Sequence, residues 1–334
     1  MKKKQLGQFF TTEADRIFKG LGKYIKNKNV ADPFAGAGDL LMWAKKNGAK
    51  RAVGYDVDPN YTDGKKIFLN DSLLTPQKYS FVITNPPYLN INKADATTKK
   101  RYFNNSRYED LYQISLSSIM DSKEGIIITP VNFLSAENSK KTRDNFFSRF
   151  RIVEMNYFKQ QVFRDTTYNV IAFYYKEKRD IFDDRFVIKC KIFPDNRAIS
   201  ITLEKAFHWT IGGSFIARIE GQENTLGIYR LSEDQIDKGA NLIRAAHNHI
   251  DNIKEYRVSD SLYGIIKQNL ILLRAIDSGT EEGKIRLENI KHYGLDCLVS
   301  KESSRNMIYL VFKSPISTLE QERVIEIFNQ EISK

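Results

Sequence analysis

Residues 79–88, YSFVITNPPY, decide how the first half of this chain is read. Apart from Ser80, the first six are aromatic, aliphatic or β-branched, which suits a buried strand. The strand cannot continue past Asn85, because Pro86 and Pro87 carry no N–H to add to a ladder. An apolar strand therefore stops in a rigid corner that holds an amide, Asn85, and an aromatic ring, Tyr88. The corner makes sense either as a plain turn or as the edge of a site.

Working outward, apolar strand-like segments at 29–34, 51–59, 66–71, 79–85 and 125–130 are interleaved with helical spacing at 39–48, 109–122 and 140–150. Such alternation predicts an α/β fold, a doubly wound, mostly parallel sheet with helices on both faces. Strands at 151–158 and 168–177 read as an antiparallel pair at one edge. The texture changes near 176–185. Short strands follow at 186–193, 198–203 and 215–220, then helical spacing around 233–256 and 259–277 and a last helix at 318–332. This predicts two domains, 1–178 and 179–334, the second of mixed α+β type.

The net charge is +11, and it is uneven: residues 1–180 hold 31 Lys+Arg against 19 Asp+Glu, and the remainder 21 against 22. A basic half favours a polyanionic partner, nucleic acid first, and equally suits a solubilising surface. Cys190 and Cys297 lack metal-like spacing, so neither a disulfide framework nor a metal site is expected. No signal-like leader and no run of about 18 apolar residues is present, and a cytoplasmic protein is the expectation.

DPFAGAGDLL (32–41) joins a strand to a helix, and Gly36 and Gly38 permit a tight turn and close backbone approach. It lacks the third glycine of the dinucleotide fingerprint, and Asp32 and Asp39 would repel a pyrophosphate. A ligand with a cationic group suits it better. Asp56, 20 residues beyond Gly36, ends the next strand, where an acid can bind ribose hydroxyls. Asp71 ends the third, where it can accept from an exocyclic amine. Beside these acids, the Asn85 side-chain carbonyl and the Pro86 backbone carbonyl form a pair of acceptors for an NH₂ group, and Tyr88 a face for a planar ring.

The ordered set GQFFT (7–11), DPFAGAG, YDVDP, NDSL and NPPY resembles the S-adenosylmethionine-dependent DNA methyltransferases that modify amino groups, in particular the gamma class of N6-adenine enzymes of restriction-modification systems. The likeness runs from residue 1 to about 178. It implies a Rossmann-like methyltransferase domain followed by a target-recognition domain, with duplex DNA as partner. It also implies a cognate restriction endonuclease acting on the same site without direct contact, and a monomer. By the same resemblance, Phe9, Thr11, Asp32, Phe34, Gly36, Gly38, Asp56, Asp71 and Asn85 hold the cofactor. Asn85, Pro86 and Tyr88 hold a flipped-out adenine, with Phe163, in QQVFRDTTYNVIAF (160–173), over its other face.

Lys93, Lys99, Lys100, Arg101 and Arg107, in the loop after the corner, are candidate phosphate contacts; a solvated loop is the competing reading. Arg218, Arg230, His247, His249, Arg257 and Lys267 are unranked candidates in the second domain. RNA adenine methyltransferases share GQFF but usually carry an aliphatic residue in place of Pro86. Methyltransferases of a protein glutamine amide share N-P-P-Y but place their extra domain before the cofactor motif. An inactive DNA-binding module is the rival from another class.

Overall fold

Val30, Phe81, Val82, Ile83 and Ile126 to Ile128 are almost wholly excluded from solvent, as expected of strands covered on both faces. In the computed structural model, which describes residues 11, 13–104, 106–163, 169–180, 182–213, 228–274, 286–300, 307–312 and 314–332, they lie at the centre of a nine-stranded sheet. Its strands are β1 (Asn29–Asp32), β2 (Arg51–Asp56), β3 (Ile67–Leu69), β4 (Tyr79–Thr84), β5 (Ser122–Pro130), β6 (Phe150–Phe158), β7 (Val170–Glu177), β8 (Arg185–Phe193) and β9 (Arg197–Glu204). They are ordered β3-β2-β1-β4-β5-β7-β6-β8-β9.

The five strands β1 to β5 run parallel to one another. β7 inserts between β5 and β6, antiparallel to both. The expected α/β class and mostly parallel first half are therefore found, and the order is that of the Rossmann-like methyltransferase fold. The order reverses at β1, with β2 and β3 on one side and β4 and β5 on the other. Open α/β sheets bind ligands outside the strand C-termini at such a reversal.

Two expectations are corrected. The β6/β7 pair is not an edge, because β8 pairs parallel to β6 and β9 antiparallel to β8. β8 alternates cleanly, burying Phe186, Ile188, Cys190 and Ile192 on one face, and that apolar face joins the main core. For the same reason the chain divides into compact units Met1–Ser214 and Phe215–Lys334, rather than at 178/179.

The second unit holds a four-stranded sheet, β10 (Ile228–Arg230), β16 (Met307–Phe312), β13 (Ile271–Arg274) and β14 (Arg286–Asn289), and a three-stranded one, β12 (His249–Val258), β11 (Asn241–His247) and β15 (Cys297–Val299). It is of mixed α+β type. The stretch expected to be helical around 233–256 is mostly the β11–β12 hairpin, turning at Asn248 with φ +62°. Leu242, Ala245, Ala246, Ile250 and Ile253 mimic helical spacing. Yet Leu242 and Ile253 are exposed, and the buried set is Ile243, Ala245 and Ala246.

Within 259–277, the helix Asp260–Gln268 ends at Asn269. There the side-chain oxygen of Asn269 accepts the Phe312 N–H and its backbone carbonyl the Tyr309 hydroxyl, turning the chain into β13. The helix Thr318–Ile332 is as expected; the segment 215–220 lies outside the described residues. No helix among the described residues is long and apolar enough to cross a membrane.

One contact sets how closely β2 underlies the glycine turn. A Cβ built on Gly54 would lie 2.6 Å from the Ala35 Cβ and 2.8 Å from Leu41 Cδ1. Gly54→Val is expected to overpack this layer, costing about 1–3 kcal/mol. Urea denaturation should show a lower midpoint at an unchanged slope; an unchanged midpoint would mean the turn yields at no cost.

Candidate active site

β1 ends in Asp32, whose side chain is 1% exposed. An isolated buried carboxylate is costly, and two donors offset that: the Phe34 N–H at 3.0 Å and the Thr84 hydroxyl at 2.8 Å, both onto Oδ1. Burial outweighs them and pushes the Asp32 carboxyl up to about 7. Gly36 (φ +49°) and Gly38 (φ +86°) then turn the chain into the helix Asp39–Lys46, in backbone regions that favour glycine.

β2 ends in Asp56, also buried, which accepts the Gly36 N–H at 2.7 Å and the Asp58 N–H at 2.8 Å. The acid thus holds the glycine turn as well as lining the cleft. Its carboxyl, too, is raised, chiefly by burial. Past β3, Asp71 accepts the Leu73 N–H on Oδ1, and Arg101 and the Tyr102 hydroxyl on Oδ2.

β4 delivers Asn85, whose Nδ2 donates to Thr11 Oγ1 at 3.1 Å. Its Oδ1 accepts the Tyr88 hydroxyl at 2.7 Å, with the Ile128 carbonyl 3.0 Å from the same hydroxyl. The N-terminal threonine, the catalytic candidate and the corner tyrosine form one polar chain.

These ends converge on a cleft of about 750 Å³, counting space open to solvent. The predicted residues Thr11, Asp32, Phe34, Gly36, Asp56, Asp71 and Asn85 all line it. Gly38 stands just behind, at the helix start. Phe9 lies outside the described residues. The corner is arranged differently from the expectation. Pro87 lines the cleft and Pro86 is buried. Tyr88 is 8% exposed and edge-on to Tyr112, at 6.3 Å and 82°. Its hydroxyl lies within reach of two acceptors inside, and the ring packs in the main core. Phe163, 5% exposed, likewise packs in the main core and does not line the cleft.

The presumed loop after the corner is folded. Leu89, Ala94, Tyr102, Phe103 and Leu111 form a small core with Leu73 packed against it. Lys93, Lys99, Lys100, Arg101 and Arg107 are all exposed on it, and of these Arg101 pairs with Asp71. Val57, Leu73, Tyr102 and Leu111 are cleft residues that the sequence reading missed. Val57 follows Asp56 directly and could have been found there; Tyr102 carries no local signal.

In the second unit, His247 is buried against Glu233, His249 pairs with Asp251 at 3.0 Å and Lys267 with Asp296 at 2.9 Å. Arg257 donates to the Ala240 carbonyl, and Arg218 lies outside the described residues.

Similar structures include the type IIG restriction endonuclease BpuSI (12% identity over 78% of this chain and 44% of that one, TM-score 0.48). They also include the EcoKI M protein of a type I restriction enzyme (14%, 49% and 44%, TM-score 0.40). A third is the type I restriction-modification methyltransferase subunit from Streptococcus thermophilus (15%, 55% and 47%, TM-score 0.39). The chain spans less than half the length of each. Comparison with curated protein sequences finds no match. The family described as Eco57I restriction-modification methylase matches residues 21–163, the segment that holds every cleft-lining residue except Thr11.

Proposed function

We propose that the chain is a DNA methyltransferase that transfers a methyl group from S-adenosylmethionine to N6 of adenine in a short duplex sequence, the modification half of a restriction-modification system. The observation that carries this reading is the meeting of Asn85 with Asp32, Asp56 and Asp71 in one cleft, within the segment matched by the family. RNA is the less favoured substrate, since Pro86 stands where RNA enzymes usually have an aliphatic residue.

The donor set fits the cofactor. Carboxylates at the ends of β1 and β2 suit an ammonium group and ribose hydroxyls, and Phe34, Val57, Leu73 and Tyr102 offer an apolar surface to a purine. Bound S-adenosylmethionine supplies an electrophilic sulfonium methyl. On this reading Asp32 meets the amino group, Asp56 the ribose and Asp71 the exocyclic amine, while Asn85 faces the target base.

An adenine inside a duplex cannot reach such a cleft and must be flipped out, at a cost of a few kcal/mol. Its N6 lone pair is delocalised into the ring. The Asn85 Oδ1, on giving up the Tyr88 hydroxyl, accepts an N6–H and draws the amine toward a tetrahedral shape. As positive charge develops on N6, the same acceptor holds it more strongly, so the interaction favours the transition state. Thr11 keeps the amide oriented by accepting from Nδ2. The exposed lysines of the folded excursion and the second unit would hold the duplex, with the second unit as the target-recognition domain.

Three outcomes test this reading. Asn85→Ala should lose about 10²–10³-fold in methyl transfer with cofactor affinity near that of the wild type. Tritiated methyl transfer to duplex DNA, RNA and protein in parallel checks both rate and substrate, and full activity of the variant would end the mechanism. Replacing Lys99 and Lys100 by Gln should lower the log–log salt slope of duplex binding by about 2; an unaltered slope removes the excursion from the DNA interface.

The third concerns pH. Because the folded Asp32 carboxyl is raised to about 7 from 3.8, the native state holds that proton more tightly than the unfolded chain. Its stabilising share is complete below pH 3.8 and is lost as pH rises to about 7, by up to about 1.4 kcal/mol per pH unit. Chemical denaturation across this window should therefore show wild-type stability falling relative to Asp32→Asn. A constant difference would refute the shift.

A further inference from the structure

We infer that Arg101 and Tyr102 are positioning residues for Asp71, and through it select a 6-amino purine at the nucleoside end of the cleft. The assignment rests on the cofactor reading above and adds to it a pair of residues that no motif marks.

All three contacts from the pair fall on one oxygen. Arg101 Nε and Nη2 donate to Asp71 Oδ2 at 3.0 and 2.6 Å, and the Tyr102 hydroxyl at 3.0 Å. Oδ1 accepts the Leu73 N–H at 3.2 Å. A carboxylate oxygen has room for about two donors. Oδ2 is therefore saturated, and Oδ1 retains capacity for one more.

Asp71 and Tyr102 both line the cleft, so the carboxylate is clamped at one oxygen and presented by the other. Such a carboxylate accepts an N–H and repels a carbonyl, which distinguishes adenine from hypoxanthine at position 6.

The clamp is built rather than incidental. The excursion carrying it is pinned at its base by the Leu111 N–H to the Leu89 carbonyl, the Ile91 N–H to the Glu109 carbonyl, and Asn90 Nδ2 to Asp110 Oδ1. Tyr102 is 7% exposed and packs beside Phe103 and Leu111 in the local core. Arg101 lies over the Tyr102 ring, 5.4 Å from its centroid. The planar fork, placed over the ring, gives up less freedom per hydrogen bond on engaging the carboxylate than a flexible ammonium would.

The test is calorimetric, with S-adenosylhomocysteine and its 6-oxo analogue S-inosylhomocysteine as probes on the full chain. Wild type should prefer the adenosyl form about 10–100-fold, as expected for a hydrogen bond to a charged acceptor. Arg101→Ala should bind the adenosyl form about tenfold more weakly and the inosyl form unchanged. Arg101→Lys should recover part of the preference, and Tyr102→Phe, which keeps the packed ring, should lose a few-fold. In an Asp71→Ala background, Arg101→Ala should alter the ratio no further.

Equal losses for both probes, or an intact preference in Arg101→Ala and Tyr102→Phe, would overturn the assignment while leaving the cofactor reading in place. Wild-type protein that binds neither probe overturns both.

Discussion

The Thr84 hydroxyl donates to Asp32 Oδ1 across 2.8 Å in the buried interior, between the ends of two strands that are 52 residues apart in sequence but neighbours in the sheet. It lies where the strand order reverses, so the segments leaving β1 and β4 diverge and open the crevice between them. The glycine turn begins one side of this bond and the N-P-P-Y corner the other. Through it, the spacing between the cleft acids and the amide is set by sheet pairing, which is rigid, and not by loops. A buried carboxyl needs hydrogen-bond partners, and the adjacent end of β4 supplies one of the two that Asp32 has.

The amide that follows is equally constrained. Thr11 engages its nitrogen and Tyr88 its oxygen. The side chain is fixed in orientation before any base arrives, which removes a reorganisation cost from the reacting complex. On the proposed function, an incoming amine would exchange one hydrogen bond for another at Oδ1. Exchange of that kind contributes little to ground-state affinity, because a neutral donor replaces a neutral donor. The contribution grows only as the amine becomes cationic. A pre-satisfied acceptor is thereby biased toward the transition state. The inward Tyr88 ring follows from the same chain: its hydroxyl is held at Asn85 and Ile128, so presenting a ring face to a base requires the same exchange.

Sequence patterning carried the sheet's first half because those strands are short apolar runs, each ending in a residue with chemistry: Asp32, Asp56, Asp71 and Asn85. Periodicity and function coincide there, and all four line the cleft. The patterning failed where two periods overlap. Leu242, Ala245, Ala246, Ile250 and Ile253 satisfy helical spacing, but β15 pairs alongside Ala245 to His247 and tertiary pairing prevails over local preference. The boundary at 178 failed for a related reason. β8 and β9 change the composition of the chain without leaving its first sheet, so a shift in texture marked a hairpin instead of a domain end. Tyr88 was legible as an aromatic residue but not as a core residue, and for Phe163 both readings were open, since aromatic identity does not report which way a ring faces.

The excursion after the corner unites the basic charge and the cleft. In the helical turn Lys99–Phe103, Lys99 and Lys100 point to solvent while Tyr102 and Phe103 are buried. Neighbouring residues on so short a helix diverge around its axis, so five residues reach both the outer surface and Asp71. A charge count alone assigns Arg101 to the outer group. Its guanidinium instead answers the acid at the end of β3, because a carboxylate with little access to water binds a planar fork more strongly than solvent does. The segment's order therefore depends on the cleft it borders. The same short turn carries the exposed Lys99 and Lys100 and the contact to Asp71.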